Sequence, residues 1–379
     1  MIPIAKPLLD ELEGDAARKA VLSGWVTQGP EVRLFELEFA SRVGANHACA
    51  VSNCTTALHL ALLAVGVGAG DEVIVPSHSF VATANAIRYC NAIPVFVDID
   101  PRTFNIDPDR VEEAITSRTR AILAVHQMGM PCDLPALAAI AQRRGVSLIE
   151  DAACAAGSQI LIAGAWENIG TPVGEIACFS FHPRKVITTG EGGMLTTQHS
   201  DLDHAFRRLR QHGMNVSDVV RHGSSKVIFE DYECVGYNYR MSEMQAAIGR
   251  KQIERLSGLV TRRRHLADGY HELLGNLEGL ILPFEPEWAR SNWQSYCVRL
   301  PDWADQKTIM QEMLDNGIAT RRGIMCAHRE PCYSDEPRRH DLCRSEAAQD
   351  HCILLPLYAQ MTSDDQLRVA VALRHALYH

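Results

Sequence analysis

From about residue 45 to residue 200 the chain alternates short β-branched runs with stretches of helical periodicity, and few architectures accept that alternation. The runs lie at 48–51, 72–75, 94–97, 121–125 and 146–149, with helical patterns at 57–64 and 134–142 between them. Two more strands are expected at 176–181 and 194–197. Strand and helix in turn imply βαβ units, hence a mostly parallel sheet flanked by helices in a doubly wound α/β domain. At 379 residues the chain exceeds what one core usually supports, so a second, smaller domain is expected. A strand-like stretch at 295–300, a helix from about 304 to 316 and a terminal helix after Ser363 give that domain an α/β character too. We place an N-terminal arm and the large domain at 1–240 and the smaller C-terminal domain at 241–379. The smaller domain opens with a helix from Ser242 to about Leu256, then a proline-bearing connection near Leu282-Pro283. The polar, irregular stretch 215–233 reads as a mobile loop over the site.

Composition narrows the function classes. A formal charge of -9, without a long run of Lys and Arg, argues against nucleic acid or an anionic membrane as the main partner. No stretch reaches the roughly 18 apolar residues of a membrane span, and the first residues lack the apolar segment of a signal peptide. The expectation is a soluble cytoplasmic protein. Its twelve cysteines, with no Cys-x-x-Cys spacing, read as free thiols. Sixteen histidines, His126, His182 and His212 among them, show no metal-ligand spacing, so no metal is expected.

Three segments carry candidate chemistry. The apolar run 146–149 delivers Asp151 at a strand's carboxyl end, where open α/β sheets place ligands. Lys185 follows a strand in the Gly- and Thr-rich loop Phe181-His182-Pro183-Arg184-Lys185-Val186-Ile187-Thr188-Thr189-Gly190-Glu191-Gly192-Gly193. Ser52-Asn53-Cys54-Thr55-Thr56 joins a strand to a helix, so amides and hydroxyls there converge on an anion, and Ser180 adds another hydroxyl. An acid, an amine and an anion cradle are the three handles needed to grip pyridoxal phosphate, at its ring nitrogen, aldehyde and phosphate. Asp151 would keep the ring nitrogen protonated, and Lys185, its pKa lowered, would hold the cofactor as a Schiff base and carry the proton between carbons. Phe80 would stack on the ring, or else fill the core. Singly, these residues read as a helix cap, a solvated lysine and a structural acid.

Together the segments resemble the DegT/DnrJ/EryC1/StrS family of sugar aminotransferases, within the fold type I, aspartate aminotransferase-like pyridoxal-phosphate enzymes. The resemblance runs from Gly24-Trp25-Val26-Thr27-Gln28-Gly29-Pro30, through the Lys185 loop and Gly236-Tyr237-Asn238-Tyr239-Arg240-Met241, to Leu354-Leu355-Pro356-Leu357-Tyr358. It implies Lys185 as the Schiff-base lysine, Asp151 as the pyridinium acid, Phe80 as the stacking aromatic, and Thr55, Thr56 and Ser180 as phosphate contacts. It further implies that Asn238 reaches the cofactor phosphate of a neighbouring subunit, in a homodimer with shared sites. The amino donor would be glutamate or glutamine. The acceptor would be a keto sugar, nucleotide-linked at a 4-keto or 3-keto position, or a keto-cyclitol of an aminoglycoside pathway. One departure stands out: Cys154 occupies the position, three after the acid, where many members carry Gln or His near the cofactor's ring hydroxyl.

Two other classes share part of this pattern. A dinucleotide-binding dehydrogenase would share the large domain, but no Gly-x-Gly-x-x-Gly joins a first strand to a helix. A regulatory protein that binds the cofactor without turnover would be expected to have lost Lys185 or Asp151, and both are present.

Overall fold

The computed structural model describes residues 1–216 and 225–378. In chain order the large domain's strands are β1 (His47–Val51), β2 (Glu72–Pro76), β3 (Ile93–Val97), β4 (Thr119–Val125), β5 (Ser147–Asp151), β6 (Gln159–Ile162), β7 (Ala165–Asn168), β8 (Ile176–Ser180) and β9 (Gly193–Thr197). Seven of them form one sheet in the order β1-β9-β8-β5-β4-β2-β3. They are parallel except β9, which runs antiparallel to both neighbours. These are the seven strands expected from the sequence.

The strands are apolar on both faces because both faces are covered. Alternation of side chains sends Ala48, Ala50, Ile74, Val95, Ile122 and Leu148 into one core layer. Their neighbours Cys49, Val51, Val73, Phe96, Leu123 and Ile149 enter the other. A third apolar cluster belongs to the C-terminal part, around a small antiparallel sheet of Tyr296–Arg299, Arg321–Arg322 and Cys352–Leu355.

Two elements differ from expectation. The helix after Ser242 does not stop near Leu256 but continues as Glu243–Leu274, 32 residues. Its start is fixed by a capping box, in which Ser242 accepts from the Gln245 amide and Gln245 returns to the Ser242 amide. Its continuation has a packing cause: Leu256, Leu259 and Val260 fill the large-domain core, and Leu266, Ala267, Tyr270 and Leu274 fill the third cluster. Ser257-Gly258 reads locally as a breaker, but burial at both ends overrides it. The hairpin β6–β7 was not expected either. Its two-residue turn is Ala163-Gly164, both with positive φ (50° and 85°), a conformation usually signalled by Asn-Gly.

Of the stretch 215–233, residues 217–224 lie outside the described residues. Its two ends are tied together: the Asn215 amide donates to Asp231 O, the Asp231 amide to Asn215 Oδ1, and the Glu233 amide to Gly213 O. No helix among the described residues is long and apolar enough to cross a membrane.

Candidate active site

The carboxyl ends of β5 and β8 meet the amino end of the helix Cys54–Ala64, and the candidate residues gather there. Asp151 is the last residue of β5 and is buried. Its Oδ1 accepts the Ala153 amide at 3.1 Å and its Oδ2 accepts the Thr83 hydroxyl at 2.9 Å. Thr83 Oγ1 lies 2.8 Å from Ser79 Oγ. Burial pushes the Asp151 carboxyl above its ordinary value, against the pull of Thr83, the Ala153 amide, Lys185 and His126. A buried acid of this kind calls for a cationic partner.

Beneath it, His126 and Glu150 are wholly buried and 3.1 Å apart, Nε2 to Oε2. His126 Nδ1 accepts the Cys132 amide, so Nε2 carries the proton and donates to Glu150. Glu150 Oε1 also accepts the Val173 amide at 2.8 Å. The pair holds β4 and β5 together below the site, and the His126 amide donates to Asp151 O.

Lys185 sits on a short turn between β8 and β9, its amide bonded to His182 O at 2.8 Å. The loop is pinned by Thr188, whose hydroxyl donates to Phe181 O and whose amide donates to Gln252 Oε1 of the long helix. The Lys185 ammonium is half-buried and donates to Cys154 Sγ at 3.0 Å. The lowered amine pKa expected from the sequence is not found. Burial does lower it, but Cys154, Cys54 and Asp151 outweigh burial and leave it above the ordinary lysine value. The expectation relied on a cation nearby, whereas the groups that face the amine favour its charged form. Cys154 is thus the side chain that the amine bonds.

The anion cradle is an ordinary helix start adapted to close approach. Asn53 caps the helix Cys54–Ala64, its Oδ1 accepting the Thr56 amide at 3.0 Å. The Thr56 hydroxyl is engaged in the same box, 2.7 Å from Asn53 O and 3.3 Å from Ser52 Oγ. Thr55, the neighbouring hydroxyl, has no hydrogen-bond partner among the described residues, and the Cys54 and Thr55 amides are the helix's open donors. Ser180 closes β8. A Cβ on Gly193, the first residue of β9, would lie 2.4 Å from the Asn53 carbonyl, so only glycine lets β9 pass this close to the cradle.

Phe80 is 55% exposed, an unusual setting for a phenylalanine and one that leaves its ring available for stacking. Asn238 is exposed too, and its neighbours explain why. Tyr237 and Tyr239 stack with ring centroids 4.9 Å apart, and Tyr239 Oη lies 3.2 Å from His59 Nδ1. In this extended segment the two tyrosines turn inward and Asn238 turns out. Tyr237 and Tyr239 pack on the core, although a polar, aromatic-rich connection before a helix has little local reason to be buried. The Ser52 amide donates to Tyr239 O, which ties the segment to the cradle.

Sequence reasoning missed Thr83, Ser79, and the His126–Glu150 pair. Thr83 was within reach, being a buried hydroxyl three residues after Phe80 on the apolar start of the helix Ala82–Tyr89. The residues present fit pyridoxal phosphate: a buried carboxyl with no ion-pair contact among the described residues, a reachable amine, open amides at a helix start and an exposed aromatic.

The profile of the DegT/DnrJ/EryC1/StrS aminotransferase family matches residues 7–374. The spore coat polysaccharide biosynthesis protein SpsC of Bacillus subtilis is 37% identical over 380 residues, covering 98% of this chain and 96% of SpsC. Among solved structures, DesI in the presence of its TDP-sugar product superposes with a TM-score of 0.87 at 31% identity, over 98% of this chain and 92% of DesI. The PLP-form of the sugar aminotransferase Spr1654 of Streptococcus pneumoniae superposes with a TM-score of 0.89 at 26% identity, over 99% of this chain and 98% of that one. Such likeness over nearly the whole length confirms the fold type I architecture. The chain belongs to the DegT/DnrJ/EryC1/StrS aminotransferase family.

Proposed function

We propose that this aminotransferase moves an amino group from glutamate or glutamine to a nucleotide-linked keto sugar, with pyridoxal phosphate held at Lys185. The observation that carries the reading is the convergence of Asp151, Lys185 and the Asn53-capped helix start at adjoining strand ends. When bound, the cofactor would supply an electron sink for the carbanion formed as the carbon bearing the donor's amino group loses its proton. Asp151 holds positive charge at the ring nitrogen, which offsets the carboxyl's own burial. The Lys185 amine anchors the cofactor and, once displaced, moves the proton at its Nζ. Phe80 covers one face of the ring. Thr55, Ser180 and the open amides would receive the phosphate, and Thr56 would join them by turning its hydroxyl from the Asn53 carbonyl. Cys154 lies where the ring hydroxyl would be met, and its thiol is the smallest of the side chains expected there.

The assembly in this reading is a homodimer whose Asn238 residues each reach the partner's phosphate, consistent with that side chain's exposure. In this reading residues 1–240 form the arm and large domain and 241–379 the smaller domain, whose first helix lends Leu256, Leu259 and Val260 to the large-domain core. The cytoplasm is its site of action, since twelve unpaired cysteines suit a reducing compartment. A nucleotide-linked acceptor is supported by the TDP-sugar that DesI takes as product. The test is a mass-spectrometric product screen with glutamate and glutamine against nucleotide-linked 4-keto and 3-keto sugars and a keto-cyclitol. An aminated nucleotide sugar is expected. Amination of the cyclitol alone would overturn the acceptor class, and protein that takes up no added pyridoxal phosphate would overturn the cofactor.

A further inference from the structure

We infer that Thr83 is a positioning residue for Asp151, and that the turn from Ser79 to Thr83 sets the acid and the stacking ring against each other. The inference rests on the reading of Asp151 as the partner of the cofactor's ring nitrogen. Ser79 and Thr83 are each 2% exposed, so neither hydroxyl has bulk water as a partner. Thr83 donates to Asp151 Oδ2, which leaves its oxygen free to accept from Ser79 at 2.8 Å. The two bonds thus run one way, from Ser79 through Thr83 to the carboxylate, and both favour its ionised form. Between the two hydroxyls lies Phe80, whose carbonyl accepts the Thr83 amide at 3.1 Å. One turn therefore carries the ring that would cover the cofactor face and the donor that orients the acid at its edge.

The other groups that bear on the carboxyl are the Ala153 amide, Lys185, His126 and the buried thiols of Cys54, Cys132 and Cys178. The Ala153 amide fixes Oδ1, and Thr83 is the side-chain donor to Oδ2. Without Thr83 the carboxylate would lose one of its two hydrogen bonds and gain proton affinity in a buried site. The proton shared with the ring nitrogen would then move toward Asp151. Ala153 alone would leave the carboxyl free to turn about its own bond.

The test reconstitutes the full chain with ¹⁵N-labelled pyridoxal phosphate and reads the ring-nitrogen chemical shift and the cofactor's dissociation constant. Thr83→Val keeps the shape and removes the hydroxyl. It should move the shift part of the way toward the unprotonated value and weaken cofactor binding by about 10-fold to 100-fold, the range for losing a hydrogen bond to a charged group. Thr83→Ser should restore both. Ser79→Ala, which keeps Thr83 in place, should give a smaller shift in the same direction, and it decides the matter if Thr83→Val fails to fold. Asp151→Asn is the reference. If Asp151→Asn moves the shift and Thr83→Val and Ser79→Ala do not, Thr83 has no such role and the reading of Asp151 stands. Equal shifts in Thr83→Val and Thr83→Ser would mean the effect is packing and would also overturn the inference. If Asp151→Asn itself leaves the shift unchanged, the reading of Asp151 fails.

Discussion

On the floor of the site, Asp151, Glu150, His126, Thr83 and Lys185 are bonded to one another or to nearby amides and side chains, in bonds of 2.8 to 3.1 Å. At the rim, Phe80 and Asn238 stand exposed and Thr55 has no hydrogen-bond partner among the described residues. The floor is built from strand ends that the sheet must order anyway, and burial there forces each polar group to find a partner within the chain. The rim lies at a loop, a helix start and an extended segment, where water can satisfy what the protein does not. Floor residues should therefore govern chemistry and proton affinity. Rim residues should govern how tightly the cofactor and a second chain are held.

The sharpest contrast is expected from the floor. Lys185→Ala should abolish transamination in assays with glutamate and the keto sugar, since it removes the anchor as well as a proton carrier that alone contributes about 10² to 10⁴-fold. Its side chain is half-buried and among the described residues bonds Cys154 alone, so the melting temperature of the folded variant should stay close to that of wild type. Measurable turnover would place the essential amine elsewhere. Asp151→Asn should reduce turnover by about 100-fold or more, since breaking one side of a buried charge pair costs about 3–5 kcal/mol. Turnover near that of wild type would reduce Asp151 to a structural role.

At the rim, Asn238→Ala should leave the floor's chemistry intact and weaken cofactor binding by about 10-fold to 100-fold, as one hydrogen bond to a charged group is lost. Mixing it with Lys185→Ala under conditions of proven subunit exchange should restore activity at one composite site. No recovery above the parent samples would place Asn238 outside the neighbouring site and erase the distinction between floor and rim.

A smaller effect concerns pH. Burial raises the Asp151 pKa above 3.8, so in the window between 3.8 and its raised folded value the folded protein without cofactor binds more proton there than the unfolded chain. Asp151's contribution to stability is then complete below pH 3.8 and is lost as pH rises through its raised folded value. The unfolding free energy of wild type minus that of Asp151→Asn, both without cofactor, should decline with pH across that window. A flat difference would mean the floor does not hold the carboxyl up. The smallest effect is expected from Cys154→Gln. If the thiol is only a small neighbour of the amine, Gln can accept the Lys185 bond in its place, and the donor half-reaction should change by no more than about 1 kcal/mol, the net worth of one hydrogen bond. A raised KM for the keto sugar alone would show that Cys154 makes room for the acceptor, and equal damage to both half-reactions would count against both ideas.

The same division explains what the sequence made legible. The seven sheet strands and the Lys185 loop stood out because strands buried on both faces are continuous apolar runs, and because the loop's glycines and threonines punctuate them. Asp151 followed from its place at the end of such a run. Thr83 did not, since a single hydroxyl on an apolar helix start gives no periodic signal, and only the fold brings it from residue 83 to 2.9 Å from residue 151. The sequence pattern carries the long helix only to about Leu256 because its second half is held by tertiary burial, which local propensity does not report. The Ala163-Gly164 hairpin lacks the usual Asn-Gly marker. The raised amine of Lys185 depends on Cys154, Cys54 and Asp151 meeting around it, an arrangement that spacing along the chain does not disclose.

The central claim is that Lys185, bonded to Cys154 on the floor of the site, is the residue that carries the cofactor. Its most direct test is borohydride reduction of the protein loaded with pyridoxal phosphate, followed by proteolysis and mass-spectrometric mapping of the modified peptide. The account predicts a single stable adduct on Lys185, suppressed when glutamate is added before the reductant. An adduct on another lysine, with Lys185 unmodified, would contradict it.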